Sequence, residues 1–92
     1  MIISIKNKAL KEYWEHNKTG KLDGRYIRTI QVILTTLDSA MNQKDLIIPG
    51  KRLHQLNGFD PTRWSLDVSA NWRITFEWDG RNVSNVDYED TH

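Results

Sequence analysis

The chain has 92 residues, 38% hydrophobic and 27% charged, with no cysteine and a formal net charge of +1. That length suits one domain with one small core and leaves no room for a large internal cofactor cavity. Without cysteine there is no disulfide staple and no thiolate metal site, and no apolar run approaches the ~20 residues that span a bilayer. The near-neutral total hides an asymmetry. Residues 1–52 carry ten Lys/Arg against five Asp/Glu, a net of +5, whereas residues 53–92 carry three Arg against seven acids, a net of −4. The first part is suited to a polyanionic partner. The apolar start, residues 1–5, is too short for a signal-peptide core, so a soluble, cytoplasmic protein is expected.

In chain order, Ile2, Ile3 and Ile5 are β-branched and predict a short strand. Asn7 reads as a helix N-cap, and Ala9, Leu10, Tyr13 and Trp14 recur at helical spacing over residues 8–18, with Gly20 as the stop. Asp23 reads as a second cap. It precedes one apolar stripe formed by Tyr26, Ile30, Ile33, Leu34, Leu37 and Met41. The polar residues 42–45 stop that helix, and Pro49-Gly50 signals a turn. The period then changes to two. Trp64, Leu66 and Val68 alternate with Ser65, Asp67 and Ser69; Trp72, Ile74, Phe76 and Trp78 alternate with Arg73, Thr75 and Glu77.

Asp79-Gly80 predicts a tight hairpin. Counting outward from it pairs Trp78 with Arg81 and Phe76 with Val83, which leaves Val86 and Tyr88 on the wrong face. A β-bulge at Ser84-Asn85 restores them. The expected pairs are then Val86 with Ile74, Tyr88 with Trp72, and Asp87 with Arg73. The fold class is α+β: two N-terminal helices packed on a mainly antiparallel sheet, forming a single domain over residues 1–92.

Gly-rich phosphate loops, nucleophile elbows, zinc-ligand spacings and the dinucleotide fingerprint are all missing. Of three histidines, His16 falls at a polar helix end and reads as solvated. His54 alone would read as a half-buried strand residue, and His92 alone as a frayed end. Arg73 lies mid-strand, opposite the Trp/Ile/Phe row. It is either a structural ion pair with Asp87 or Glu77 or an anion clamp. Together these residues suit metal-free RNA cleavage. That reaction needs a base for the 2′-hydroxyl, a cation on the phosphate oxygens and an acid for the leaving 5′-oxygen. Histidine titrates near neutral pH, and the arginine fork binds two phosphate oxygens.

Four motifs in order carry a family resemblance: Arg52-Leu53-His54-Gln55-Leu56 with Gly58, Trp64-Ser65, Ala70-Asn71-Trp72-Arg73-Ile74-Thr75-Phe76, and Asp87-Tyr88-Glu89-Asp90-Thr91-His92. With them the sequence resembles the HigB-type toxins of the RelE/ParE superfamily, from type II toxin–antitoxin modules. The resemblance implies a RelE-like microbial ribonuclease fold and an enzyme that cleaves mRNA in the ribosomal A site. It implies catalytic roles for His54, Arg73, Asp90 and His92, with no metal and no cofactor.

Lys51, Arg52, Asn57, Arg63, Asn71 and Tyr88 are the expected substrate-binding residues. The implied partners are the 70S ribosome with its mRNA and a HigA-type helix-turn-helix antitoxin. Operator DNA would be met only through that antitoxin, and no membrane is involved. The alternative is the non-enzymatic ParE branch, which inhibits DNA gyrase; its toxins generally lack the His and Arg set retained here. The chain departs from the HigB-type pattern at Asn57 (often Lys), Ser69 (often basic) and Thr91 (Tyr).

Overall fold

The computed structural model describes residues 1–90. Helix α1 (Lys8–His16) and helix α2 (Ile27–Ser39) precede four strands: β1 (Leu53–Leu56), β2 (Arg63–Asp67), β3 (Trp72–Trp78) and β4 (Val83–Asp90). The strands form one antiparallel sheet in the order β1-β2-β3-β4. The expected α+β architecture is therefore present. Among the described residues no helix is long and apolar enough to cross a membrane.

Local chemistry explains the helix ends. Asn7 caps α1, its Oδ1 accepting the Leu10 N–H at 2.9 Å. The helix stops at His16 rather than near Lys18, because Asn17 itself turns left-handed (φ 56°) and donates its N–H to the carbonyls of Glu12 and Tyr13. Gly20 is not needed as the stop. Asp23 is a cap, but of a 3-10 turn, Gly24–Tyr26, that runs into α2. Its carboxylate accepts the Arg25 N–H at 2.9 Å and pairs with the Arg25 guanidinium at 2.6 Å. That pairing holds the Asp23 carboxyl well down, at about 2.

The core lies between the helices and one face of the sheet. Leu10, Ile30, Ile33, Leu34 and Leu37 from the helices meet Leu66, Ile74, Phe76, Val83 and Val86 from the strands, all at 0% exposure. Met41, expected on the same stripe, is exposed instead. The helix ends at Ser39, Ala40 takes the buried position, and Asn42 caps a new 3-10 turn, Gln43–Leu46.

The sheet shows three differences from expectation. First, residues 53–56 form a strand that the alternation alone did not mark. Second, the first segment runs parallel to β4 but meets it only at two isolated bridges, Ile2 with Val83 and Ile5 with Val86. Third, the β3–β4 register is displaced by two residues. The hairpin has a four-residue connection, residues 79–82, in which Asp79 Oδ1 accepts the N–H groups of Arg81 and Asn82. The side chain thus closes a longer Asx-type turn than the two-residue one expected. Trp78 consequently pairs with Val83, Ile74 with Tyr88, Arg73 with Glu89 and Trp72 with Asp90.

The predicted bulge is present. Asn85 has φ 49°, and the ladder shifts between Thr75 and Glu77, leaving Asn85 and Val86 together opposite Phe76.

Two measurements test this account. Leu66→Ala, at a fully buried sheet position, is expected to lower stability by ~2–5 kcal/mol in urea unfolding. The Asp23 cap contributes only where its carboxylate is ionised in both states. Its contribution is therefore full above the ordinary value of 3.8 and lost as pH falls toward about 2. Asp23→Asn should remove stability at neutral pH and low salt and flatten the acid limb of the stability curve between those values.

Candidate active site

Residues directly opposite one another in neighbouring strands share a face. Leu66, Ile74 and Tyr88 therefore share the helix-covered face, and the register defines the other face row by row. One row is His54, Ser65, Thr75 and Asp87; a second contains Asp67, Arg73 and Glu89; a third contains Leu56, Arg63, Glu77 and Ser84. Among the described residues, this face carries no helix. Near β1 it forms a groove of about 460 Å³ lined by Arg52, His54, Asn57, Asp67, Ala70 and Arg73, among others. His54 and Arg73 are therefore brought together, as the RNA-cleavage chemistry requires.

The carboxylates on this face are largely engaged elsewhere. Glu77 accepts from Arg63 at 3.2 Å and from Asn85 Nδ2 at 2.7 Å. Glu89 accepts from the Thr75 hydroxyl at 2.6 Å, and Asp67 pairs loosely with Arg52 at 3.8 Å. Arg73 forms no salt bridge among the described residues, with Glu89 opposite it on one side and Asp67 on the other. The structural pairing with Asp87 or Glu77 is not made. Asp87 sits opposite Thr75, and Glu77 is held by Arg63. With Nε buried, the Nη end of this guanidinium is the part that can clamp an anion.

Arg63 is placed differently from expectation. It donates to Glu77, to Thr75 Oγ1 at 2.9 Å and to the Asn85 carbonyl at 3.0 Å, with its side chain only 14% exposed. It ties β2, β3 and β4 together and is not directed into the groove. Tyr88 is also absent from the groove. It lies opposite Ile74 on the helix-covered face, with its ring 4.7 Å from that of Trp72. Burial, with Tyr26 and Asp23 nearby, pushes its phenol up to about 12. It stays protonated at neutral pH and is a packing residue.

Asp90 is exposed and opposite Trp72, on the strand parity of Tyr88 rather than of Arg73. The acid that faces Arg73 is Glu89, which the sequence pattern did not single out; the two-residue register displacement is what puts it there. Lys51 contributes its carbonyl to the Asp67 N–H at 2.7 Å. Asn57 and Asn71 are exposed in the turns flanking β2. Ser69 Oγ accepts from the N–H groups of Asn71 and Trp72, so the hydroxyl that stands where a basic residue is usual shapes the turn before Arg73. His16 is exposed at the end of α1, as expected. His92 and Thr91 lie outside the described residues.

The contrast between the two arginines is testable. Arg63→Ala leaves the half-buried Glu77 without its cation and is expected to cost ~1–3 kcal/mol. Arg73→Ala removes a half-buried side chain with no ionic partner among the described residues and should cost less, about 1 kcal/mol or under. Urea unfolding of the two variants checks both values.

Residues 3–92 match the family described as the RelE-like toxin of type II toxin-antitoxin system HigB. The chain is 35% identical to the Endoribonuclease HigB of Proteus vulgaris over 92 residues, which covers 100% of both proteins. The match spans the groove strands as well as the helices, so this chain belongs to the HigB family of RelE-like type II toxins.

Proposed function

We propose that this toxin is a ribosome-dependent endoribonuclease that stops translation by cutting mRNA in the A site. The observation that carries the proposal is the Arg73 guanidinium, without an ion-pair partner among the described residues and set beside His54 in a groove on the open face of the sheet. A relative of the same length is an endoribonuclease. In the reaction, the 2′-oxygen attacks the adjacent phosphorus and the bond from phosphorus to the 5′-oxygen breaks. A base removes the 2′-proton, and an acid returns a proton to the leaving oxygen. The products are a 2′,3′-cyclic phosphate and a 5′-hydroxyl. Arg73 holds the charge that builds on the non-bridging oxygens, and Arg52 adds positive charge at the groove mouth. His54, Asp90 and His92 divide the proton transfers.

The ribosome supplies what the groove lacks. The groove is a shallow cleft on a small protein, suited to reading a strand already held in an extended path. The excess of +5 in residues 1–52 is spread over the helices and the segment entering the sheet, where it would meet ribosomal RNA. As a type II toxin the chain has an antitoxin partner. We assign that partner to the HigA-type helix-turn-helix class, which would carry the pair to operator DNA. The setting is the cytoplasm.

Arg73→Ala is expected to lower the rate of mRNA cleavage on 70S ribosomes by roughly 10²–10³-fold while leaving ribosome binding intact. Mapping of mRNA 5′ ends after induced expression checks the first expectation. Co-sedimentation at increasing salt checks the second, with binding weakening steeply as phosphate contacts are screened. Full cleavage by the variant would show that Arg73 is not the clamp.

A further inference from the structure

Among the described residues, two side-chain polar atoms are buried without a hydrogen-bond partner: Ser65 Oγ and Arg73 Nε. Both lie on the groove face. Ser65 is directly opposite His54 on β1, and Arg73 lies diagonally across on β3, two residues from Ser65's own partner Thr75. Directly opposite side chains on one face have Cβ atoms about 5 Å apart, and diagonal ones remain within reach of a long side chain. Ser65 is 0% exposed, so substrate cannot touch its hydroxyl.

A buried hydroxyl with no partner destabilises the fold that contains it. The neighbouring strand positions offer few partners. Thr75 Oγ1 already donates to Glu89 and accepts from Arg63. Asp67, two residues along β2, can only accept and already faces Arg52 and Arg73. Arg73 Nε–H can only donate, and the His54 ring, directly opposite, both donates and accepts.

We propose that Ser65 is a positioning residue that joins the phosphate clamp to the groove histidine. Its oxygen accepts the Arg73 Nε–H, and its own O–H donates to the inward ring nitrogen of neutral His54. The outward nitrogen then carries the proton and faces the RNA. When His54 is protonated, the inward N–H donates to the second lone pair of Ser65, and the outward nitrogen still carries a proton. In both states His54 presents a donor to the substrate. It serves the phosphate or the leaving oxygen, and the base that takes the 2′-proton is another group. This inference rests on the ribonuclease reading of the groove and adds the residue that sets the histidine's orientation.

The test separates the link from the activity. Ser65→Ala removes an unpartnered buried hydroxyl, so a purely structural serine predicts an equal or higher unfolding midpoint and unchanged cleavage. The proposal predicts a lower midpoint, because Arg73 Nε–H loses its acceptor, together with a kcat roughly 10–100-fold lower, KM within about twofold, and unchanged ribosome binding. It also predicts that the ¹⁵N shifts of the two His54 ring nitrogens, resolved to one tautomer in the parent protein, move toward a tautomer mixture. Ser65→Cys keeps the side-chain shape with a larger, weaker donor, so kcat should fall in the order Ser, Cys, Ala. Unchanged His54 nitrogen shifts in Ser65→Ala, or any other order of kcat, overturns the link even if Arg73→Ala still abolishes cleavage. Undiminished cleavage by Arg73→Ala overturns instead the reading on which the link rests.

Discussion

The molecule depends on the parity of β3. Ile74 and Phe76 must enter the core, and this sends Arg73, Thr75 and Glu77 to the opposite face. A slip of one residue would bury three polar side chains and expose two of the largest apolar ones. Packing against the helices enforces the parity from one side. From the other side, Arg63 reaches from β2 to Glu77 and Thr75 on β3 and to the Asn85 carbonyl on β4. The core fixes which face a side chain takes, and the Arg63 network fixes which rung of the ladder it occupies. Arg73 is without an ionic partner among the described residues while Arg63 holds Glu77, Thr75 holds Glu89 and Arg52 faces Asp67.

These two constraints divide the polar face. Arg63, Glu77, Thr75 and Glu89 form a closed hydrogen-bonded patch toward β4. Arg73, His54 and Ser65 lie toward β1, with incomplete hydrogen bonding at Ser65 Oγ and Arg73 Nε. A toxin of 92 residues has little material with which to build a rigid site. Here the satisfied patch supplies rigidity, and the proposed site lies beside the unsatisfied one.

The same two constraints explain what was legible in the sequence. Alternation of apolar and polar residues reports parity, so β2, β3 and the two faces could be read directly. The bulge at Asn85 was also legible, because Val86 and Tyr88 would otherwise face the wrong way. Register was not legible, because an even displacement leaves every side chain on its correct face. The Asp79 side chain closing a longer turn moved β4 by two residues and replaced Asp87 by Glu89 as the acid opposite Arg73. Tyr88 was drawn toward the site by its neighbours in the sequence, although its parity with Ile74 already pointed to the packed face. The short strand β1 offered no alternation that could be distinguished from a loop, so the position of His54 came from its motif rather than from its period.

The parallel edge formed by the first residues adds a constraint in time. Ile2 and Ile5 bridge to Val83 and Val86, and Ser4 Oγ accepts the Asn85 N–H across 81 positions of chain. Such distant contacts form late, after the cost of closing the whole loop has been met. During synthesis, residues 2–5 cannot close their edge of the sheet until residues 83–86 have emerged. The edge that the first residues add is therefore the part of the sheet whose formation spans the greatest length of chain.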